Sequence, residues 1–289
     1  MTATDATIQR SVLVAALCVA GVVVSASAAP PVGEPVNFVA CPIARDTGPD
    51  TDVCFFAEYE GERYALRNPT DWGNPQLLHR VLVEARVADG APVCGATPLD
   101  ARISILPEVD AACDTIIPFD GAVHGTPGGI FNRGTAEQRA AARELARRAA
   151  AEPALSLVPV MPESSYPSPV PPFTAETLTV YYPFGSDRAT DADMLELLRL
   201  TEIANAVPAR VEVTGYRGAS RLTNGSTLSE HSEMARQRAE KIVAILHGLG
   251  VDPNQIEVDW VSAAGGNSGQ DDWRSRRIEL RVTPLPVND

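Results

Sequence analysis

Polar and apolar positions follow several distinct patterns along this chain, and each predicts a different kind of segment. The first is an unbroken apolar run, Val12 to Val24, with Arg10 before it and Ser25-Ala26-Ser27-Ala28-Ala29 after it. A short apolar stretch behind a basic residue, with an Ala-x-Ala exit, reads as a secretory signal over residues 1–29, cut after Ala28 or Ala29. The run is short for a membrane span, and an uncleaved anchor is the competing reading. Leu17 stands before Cys18, where a lipid-modified cysteine needs a small residue.

Residues 36–125 carry period-two alternation instead. Arg80-Val81-Leu82-Val83-Glu84-Ala85-Arg86-Val87 and Ala101-Arg102-Ile103-Ser104-Ile105 predict half-buried strands. Cys54 to Tyr59 and Arg63 to Leu66 predict a hairpin turning at Glu60-Gly61-Glu62. Asn68-Pro69, Asn74-Pro75 and Asp89-Gly90 mark further turns. This is a small β-rich domain of no recognisable family.

The pattern then turns helical. Thr135 with Gln138 forms a capping box ahead of an Ala-dense run to Glu152, so residues 134–152 predict a connector helix. Its arginines Arg139, Arg143, Arg147 and Arg148 share a face, which a solvated helix tolerates; the opposite face is Ala and too weakly apolar to enter a membrane. Residues 153–174 form a linker. Within it, Pro159 to Pro172 is rich in Pro and Ser, and in polyproline II this stretch reaches roughly 40 Å.

From Thr177 onward strands and helices alternate. Leu178–Phe184 predicts a strand and Asp191–Ala206 an amphipathic helix with Met194, Leu197, Leu198 and Ile203 inward. Arg210–Tyr216 predicts a second strand. A second helix starts at Ser229 or Ser232 and closes at Gly248 and Gly250. Gln255–Val261 and Arg276–Val282 complete the set. The order β-α-β-α-β-β predicts an α+β unit, one mixed sheet with helices on one face, preceded by the small β domain.

Composition narrows the function. The 289 residues carry a formal charge of −13, which argues against nucleic acid as a partner, since phosphate neutralisation needs clustered Lys and Arg. Four cysteines follow the signal: Cys41, Cys54, Cys94 and Cys113. An even count behind an export signal predicts disulfides. Three pairings are possible; Cys41–Cys54 with Cys94–Cys113 closes the smallest loops. A zinc site is the competing reading, with neither Cys-x-x-Cys nor histidine at ligand spacing to support it. His79, His124, His231 and His247 are scattered, and the sequence has no nucleophile elbow, zincin helix or phosphate loop, so no enzyme and no cofactor is expected. Trp260 and Trp273 are expected to pack on the sheet, with stacking on sugars as the alternative. No series of alternating ten-residue strands suggests an outer-membrane barrel.

Val180–Ser186, Val211–Tyr216, Arg236–Leu246, Leu249–Pro253 and Arg276–Leu280, taken in that order, make residues 175–283 resemble the OmpA-like, peptidoglycan-associating C-terminal domain. Val180-Tyr181-Tyr182-Pro183-Phe184-Gly185-Ser186 is similar to the family's opening strand, and Val211-Glu212-Val213-Thr214-Gly215-Tyr216 to its second. Arg236 to Leu246 is similar to its Arg-Ala helix, Leu249-Gly250-Val251-Asp252-Pro253 to its following turn, and Arg276-Arg277-Ile278-Glu279-Leu280 to its closing strand. The resemblance implies peptidoglycan as partner, envelope proteins as the alternative, and a place in the periplasm or at the outer membrane. Any direct membrane association would come through the signal segment alone. It also implies that Arg238 receives the carboxylate of a free diaminopimelate end group, for which a planar guanidinium fork is suited. A structural ion pair is the competing role for Arg238. The family's acid, two residues after Tyr216, is replaced by Gly218; Glu230 or Glu233 on the lengthened loop are the substitutes. Tyr216, Arg217 and Arg277 are expected around the cleft, with Arg276 or Arg277 as a structural pair.

Overall fold

The computed structural model describes residues 30–47, 53–67, 72–118 and 169–286. The signal expected over residues 1–29, the connector helix expected over 134–152 and most of the expected Pro-rich linker lie outside these residues. No helix among the described residues is long and apolar enough to cross a membrane.

The N-terminal unit is a pair of sheets. β1 (Pro35–Ala40), β5 (His79–Val87) and β6 (Leu99–Val109) form an antiparallel sheet with β5 in the middle. β4 (Glu62–Ala65), β3 (Cys54–Tyr59), β2 (Ile43–Arg45) and β7 (Ile116–Ile117) form the second in that order. Alternation explains how they meet. Phe38, Val81, Val83, Ala85 and Ile103 from the first sheet pack with Ala57 and Tyr64 from the second, and Phe38 stacks on Tyr59 at 4.8 Å. The hairpin turns where the sequence predicts it: Glu60 and Gly61 both take positive φ, which the glycine adopts without steric penalty.

The cysteines pair differently from the smallest-loop expectation. The disulfides are Cys41–Cys113 and Cys54–Cys94. Strand register is the reason. β7 runs parallel to β2 with Ile116 beside Ala44, and each of Cys113 and Cys41 lies three residues earlier. The segment before β6 returns along β4, where Thr97 exchanges backbone bonds with Arg63 and Ala65, and this return brings Cys94 to Cys54. Cys41, Asp110 and Cys113 cluster, but the two sulfurs are bonded to each other and unavailable to a metal.

The C-terminal unit is the expected α+β sandwich. β8 (Glu176–Tyr181) is an outer strand, ending before Pro183 rather than at Phe184. α1 (Asp191–Ala206) starts at Thr190, whose hydroxyl accepts from the Asp193 N–H while the Asp193 carboxylate accepts from the Thr190 N–H. Its buried stripe is Leu197, Leu200, Ile203 and Ala204; Leu198 faces outward instead, 40% exposed, one position off the stripe. β9 (Ala209–Arg221) is longer than expected because β10 (Thr227–Ser229) folds back onto it, an addition to the β-α-β-α-β-β order. α2 (Met234–Gly248) therefore begins after Ser229 and Ser232, at an uncapped Glu233. β11 (Ile256–Gly265) runs parallel to β9, and β12 (Arg277–Pro284) lies antiparallel between β9 and β8.

Both helices cover one face. Val211 and Val213 of β9 and Ile278, Leu280 and Val282 of β12 pack against Leu197, Leu200 and Ile203 of α1 and Ile242 and Leu246 of α2. Each such side chain contributes about 1.5–3 kcal/mol of burial. Gly215 lets α2 approach β9 closely, because a Cβ there would lie 2.1 Å from the Ala235 carbonyl oxygen. This close approach fixes where Arg238, one turn further along α2, enters the molecule.

Candidate functional site

Arg238 points from the first turns of α2 into the end of the sheet and is fully buried. Its fork meets the Glu230 carboxylate: Nη1 donates to Oε2 at 2.9 Å and Nη2 to Oε1 at 2.5 Å. The same carboxylate accepts the Gly185 N–H at Oε1 and the Gly218 N–H at Oε2, both at 2.8 Å. Nε donates to the Ser186 carbonyl at 2.8 Å, Nη1 to the Tyr216 carbonyl at 3.0 Å and Nη2 to the Pro183 carbonyl at 3.4 Å. The Tyr182 ring lies 4.9 Å from the guanidinium carbon. Burial pushes the Tyr182 phenol well above its ordinary pKa, so the ring stays neutral beside the cation.

The arrangement is a carboxylate cradle. A guanidinium fork and two backbone N–H groups converge on one carboxylate, and three carbonyl oxygens accept the remaining N–H groups of the guanidinium. The acid in it belongs to the chain itself. Glu230 is thus the acid that faces Arg238, as the loop spacing allows, but it bonds to the arginine rather than standing across from it to receive an ammonium. Gly218, where the resemblance places an acid, has no room for one: a Cβ there would lie 2.4 Å from Ser275 Oγ and 2.5 Å from Arg276 Cγ.

The other expected site residues are placed differently. Glu233 pairs with Arg236 on the surface of α2 at 2.9 Å, away from the cradle. Arg217 bridges the Ser262 and Glu230 carbonyls, holding the loop to β11. Tyr216 gives the cradle its carbonyl, but its ring lies on the helix-free sheet face, 4.0 Å from the Arg277 guanidinium carbon, and its hydroxyl donates to Glu279. Arg277 pairs with Glu279 at 2.7 Å and does not reach the cradle. Burial, then the Glu279 charge, push the Tyr216 phenol up. Trp273 packs edge-on against Tyr181 at 5.1 Å, whereas Trp260 is 39% exposed on β11.

The N-terminal unit, for which sequence alone suggests no role here, closes over this end of the sheet. Glu84 of β5 is buried against Arg276, whose Nη2 donates to Oε2; Nη1 donates to Oε1 at 3.2 Å. The Ser220 hydroxyl donates to the same Oε1 at 2.7 Å and accepts from Arg276 at 2.9 Å. The Asn37 N–H donates to the Thr223 hydroxyl at 2.9 Å, the Thr223 N–H donates to the Asn37 carbonyl at 2.8 Å, and the Asn37 side chain donates to the Gly269 carbonyl at 2.7 Å. The Phe184 N–H donates to Ser104 Oγ at 2.9 Å. A cleft of about 220 Å³ between the units is lined by Arg86, Arg102, Trp273 and Arg274, and Arg238 does not line it.

No family model matches the chain, and no curated protein matches it. Among solved structures, the C-terminal domain of Helicobacter pylori MotB is 21% identical, with a TM-score of 0.31; the match covers 37% of this chain and 85% of that one. The peptidoglycan-associated lipoprotein from Burkholderia pseudomallei is 22% identical, TM-score 0.28, covering 36% of this chain and 89% of that one. A putative MotB-like protein from Desulfovibrio vulgaris is 14% identical, TM-score 0.29, covering 39% and 75%. Scores of this size bear on neither ligand nor residue roles.

Proposed function

We propose that this chain is an exported, non-catalytic envelope protein whose C-terminal unit associates with peptidoglycan through the cradle at Arg238. The ligand is a free peptide-stem end group. Its carboxylate takes the seat that Glu230 holds in this structure. The reading is carried by one observation: a guanidinium and two backbone N–H groups aimed at a single carboxylate. Removing one partner of a buried pair costs about 3–5 kcal/mol, because a charge is left uncompensated. Exchanging one carboxylate for another avoids that cost, since Arg238 stays paired throughout.

Complete burial of Arg238 favours a second reading. There the pair is structural only, and the unit recognises an envelope protein by another face.

Sedimentation of the full chain with insoluble peptidoglycan decides between them. Glu230→Ala vacates the seat and is expected to raise the sedimented fraction above wild type. Free stem peptide with an unblocked end is expected to release it. Acetate, compared with chloride at equal ionic strength, is expected to raise the melting temperature of Glu230→Ala and leave wild type unchanged. No wall binding by either protein, together with no acetate effect, leaves the second reading standing.

A further inference from the structure

The contact between the units combines a buried polar cluster, aimed at the cradle, with Leu82 and an edge-on contact of Trp72 with Trp273 at 6.0 Å. β5 is covered on both sides: Val81, Val83 and Ala85 face the N-terminal core, while Leu82 and Glu84 alternate toward the C-terminal unit. Glu84 binds Ser220 of β9, two residues beyond the cradle's Gly218. Ser104 of β6 binds Phe184, next to the cradle's Gly185. Pro107 lies 3.5 Å from the point where a Cβ on Gly185 would stand. Both segments that donate backbone N–H groups to the carboxylate are therefore held from outside by the N-terminal sheet.

We propose that the N-terminal unit is a latched cover over the cradle, with Glu84 and Arg276 as the latch. The chain then has a closed form, the one described, and an open form in which segments 182–190 and 218–230 are free to exchange Glu230 for an external carboxylate. What the cover guards rests on the reading above; the latch itself rests only on the contact. Its chemistry suits reversible opening. The charged pair loses its mutual attraction on separation but regains hydration on both sides, which offsets part of the cost of exposing Leu82 and the Trp72–Trp273 contact. Breaking only one partner is different, since the other charge is then stranded in the closed form.

Hydrogen–deuterium exchange on the full chain tests this with wild type, Glu84→Gln, and the double variant Glu84→Leu with Arg276→Met. The reporters are the amides of Asn37, Phe184 and Thr223, which bond across the contact. Glu84→Gln is expected to speed their exchange about a hundredfold or more while amides within β5 and α2 keep their rates. The apolar double variant is expected to restore slow exchange. Unchanged reporter rates in Glu84→Gln overturn the latch. So does equal acceleration in β5 and α2, which would make Glu84 a support of the whole fold. Peptidoglycan sedimentation is read in parallel, and Glu84→Gln is expected to bind more than wild type. If Glu230→Ala gains wall binding and an opened Glu84→Gln does not, the cover is overturned and the cradle stands. If no variant binds, the peptidoglycan reading falls instead.

Discussion

At the scale of single residues, the site turns on a missing side chain. Gly218 leaves room for Arg276 and Ser275 on one side and donates its N–H to Glu230 on the other. Restoring the acid that the OmpA-like resemblance implies at this position would therefore not restore a family site. Gly218→Asp drives a Cβ into Arg276 Cγ and sets a third carboxylate among Glu84, Glu230 and the two arginines. Overpacking of this kind destabilises by about 1–3 kcal/mol before the added charge is counted. The expected outcome is a lower denaturant midpoint with an unchanged slope, and no gain in peptidoglycan sedimentation. A stable Gly218→Asp protein that binds the wall more tightly would mean that the crowding around Gly218 relaxes readily.

At the scale of elements, legibility followed the range of the interactions. α1 is readable in the sequence to the residue, because Thr190, Asp193 and Pro208 act within one turn of its ends. The hairpin β3–β4 is readable for the same reason, through Glu60-Gly61. The start of α2 is not. Ser229 looks like a cap but is consumed by pairing with Ala219, a contact set by the return of the chain rather than by local chemistry. The disulfides fail likewise: sequence neighbours are the cheapest loops to close, but parallel pairing of β2 with β7 decides. Glu230 is visible as a candidate acid, whereas its bond to Arg238 depends on where α2 settles over Gly215. Glu84 carries no signal at all, since its partner lies 192 residues away.

One element-level tie responds to pH. Asp110, just past β6, accepts from Arg80 of β5 at 2.8 Å and from the Ala112 N–H at 3.0 Å. These bonds hold its carboxyl below its ordinary value. A carboxyl whose folded pKa is lowered adds stability above its unfolded value, about 3.9, and loses that contribution as pH falls through the folded value. Asp110→Asn is therefore expected to unfold at lower denaturant than wild type near pH 7. The difference should shrink as the pH drops below about 4. A gap that stays constant down to pH 2 would show that the ion pair contributes nothing beyond the amide's own hydrogen bonds.

At the scale of the whole molecule, the two units draw stability from different sources, and this predicts how they come apart. The C-terminal unit has a continuous apolar core between one sheet and two helices. The N-terminal unit is small, and thin cores of that size commonly need cross-links. Its disulfides close loops over sequence separations of 72 and 40 residues. By chain entropy, each bond then contributes about 4 kcal/mol, a large part of what a small domain possesses. A reductant should therefore lower the unfolding temperature of the N-terminal unit selectively, splitting thermal unfolding into two transitions. The lower transition should be accompanied by faster exchange at Phe184 and Thr223, whose partners Ser104 and Asn37 belong to the melting unit. Amides in α2 should hold until the higher transition. The C-terminal transition should itself move only slightly, because Arg276 gains water when Glu84 leaves. A single transition that carries β5 and α2 together, with and without reductant, would show that the contact through Glu84 and Arg276 fuses the two units into one cooperative body. In that case no separable cover exists.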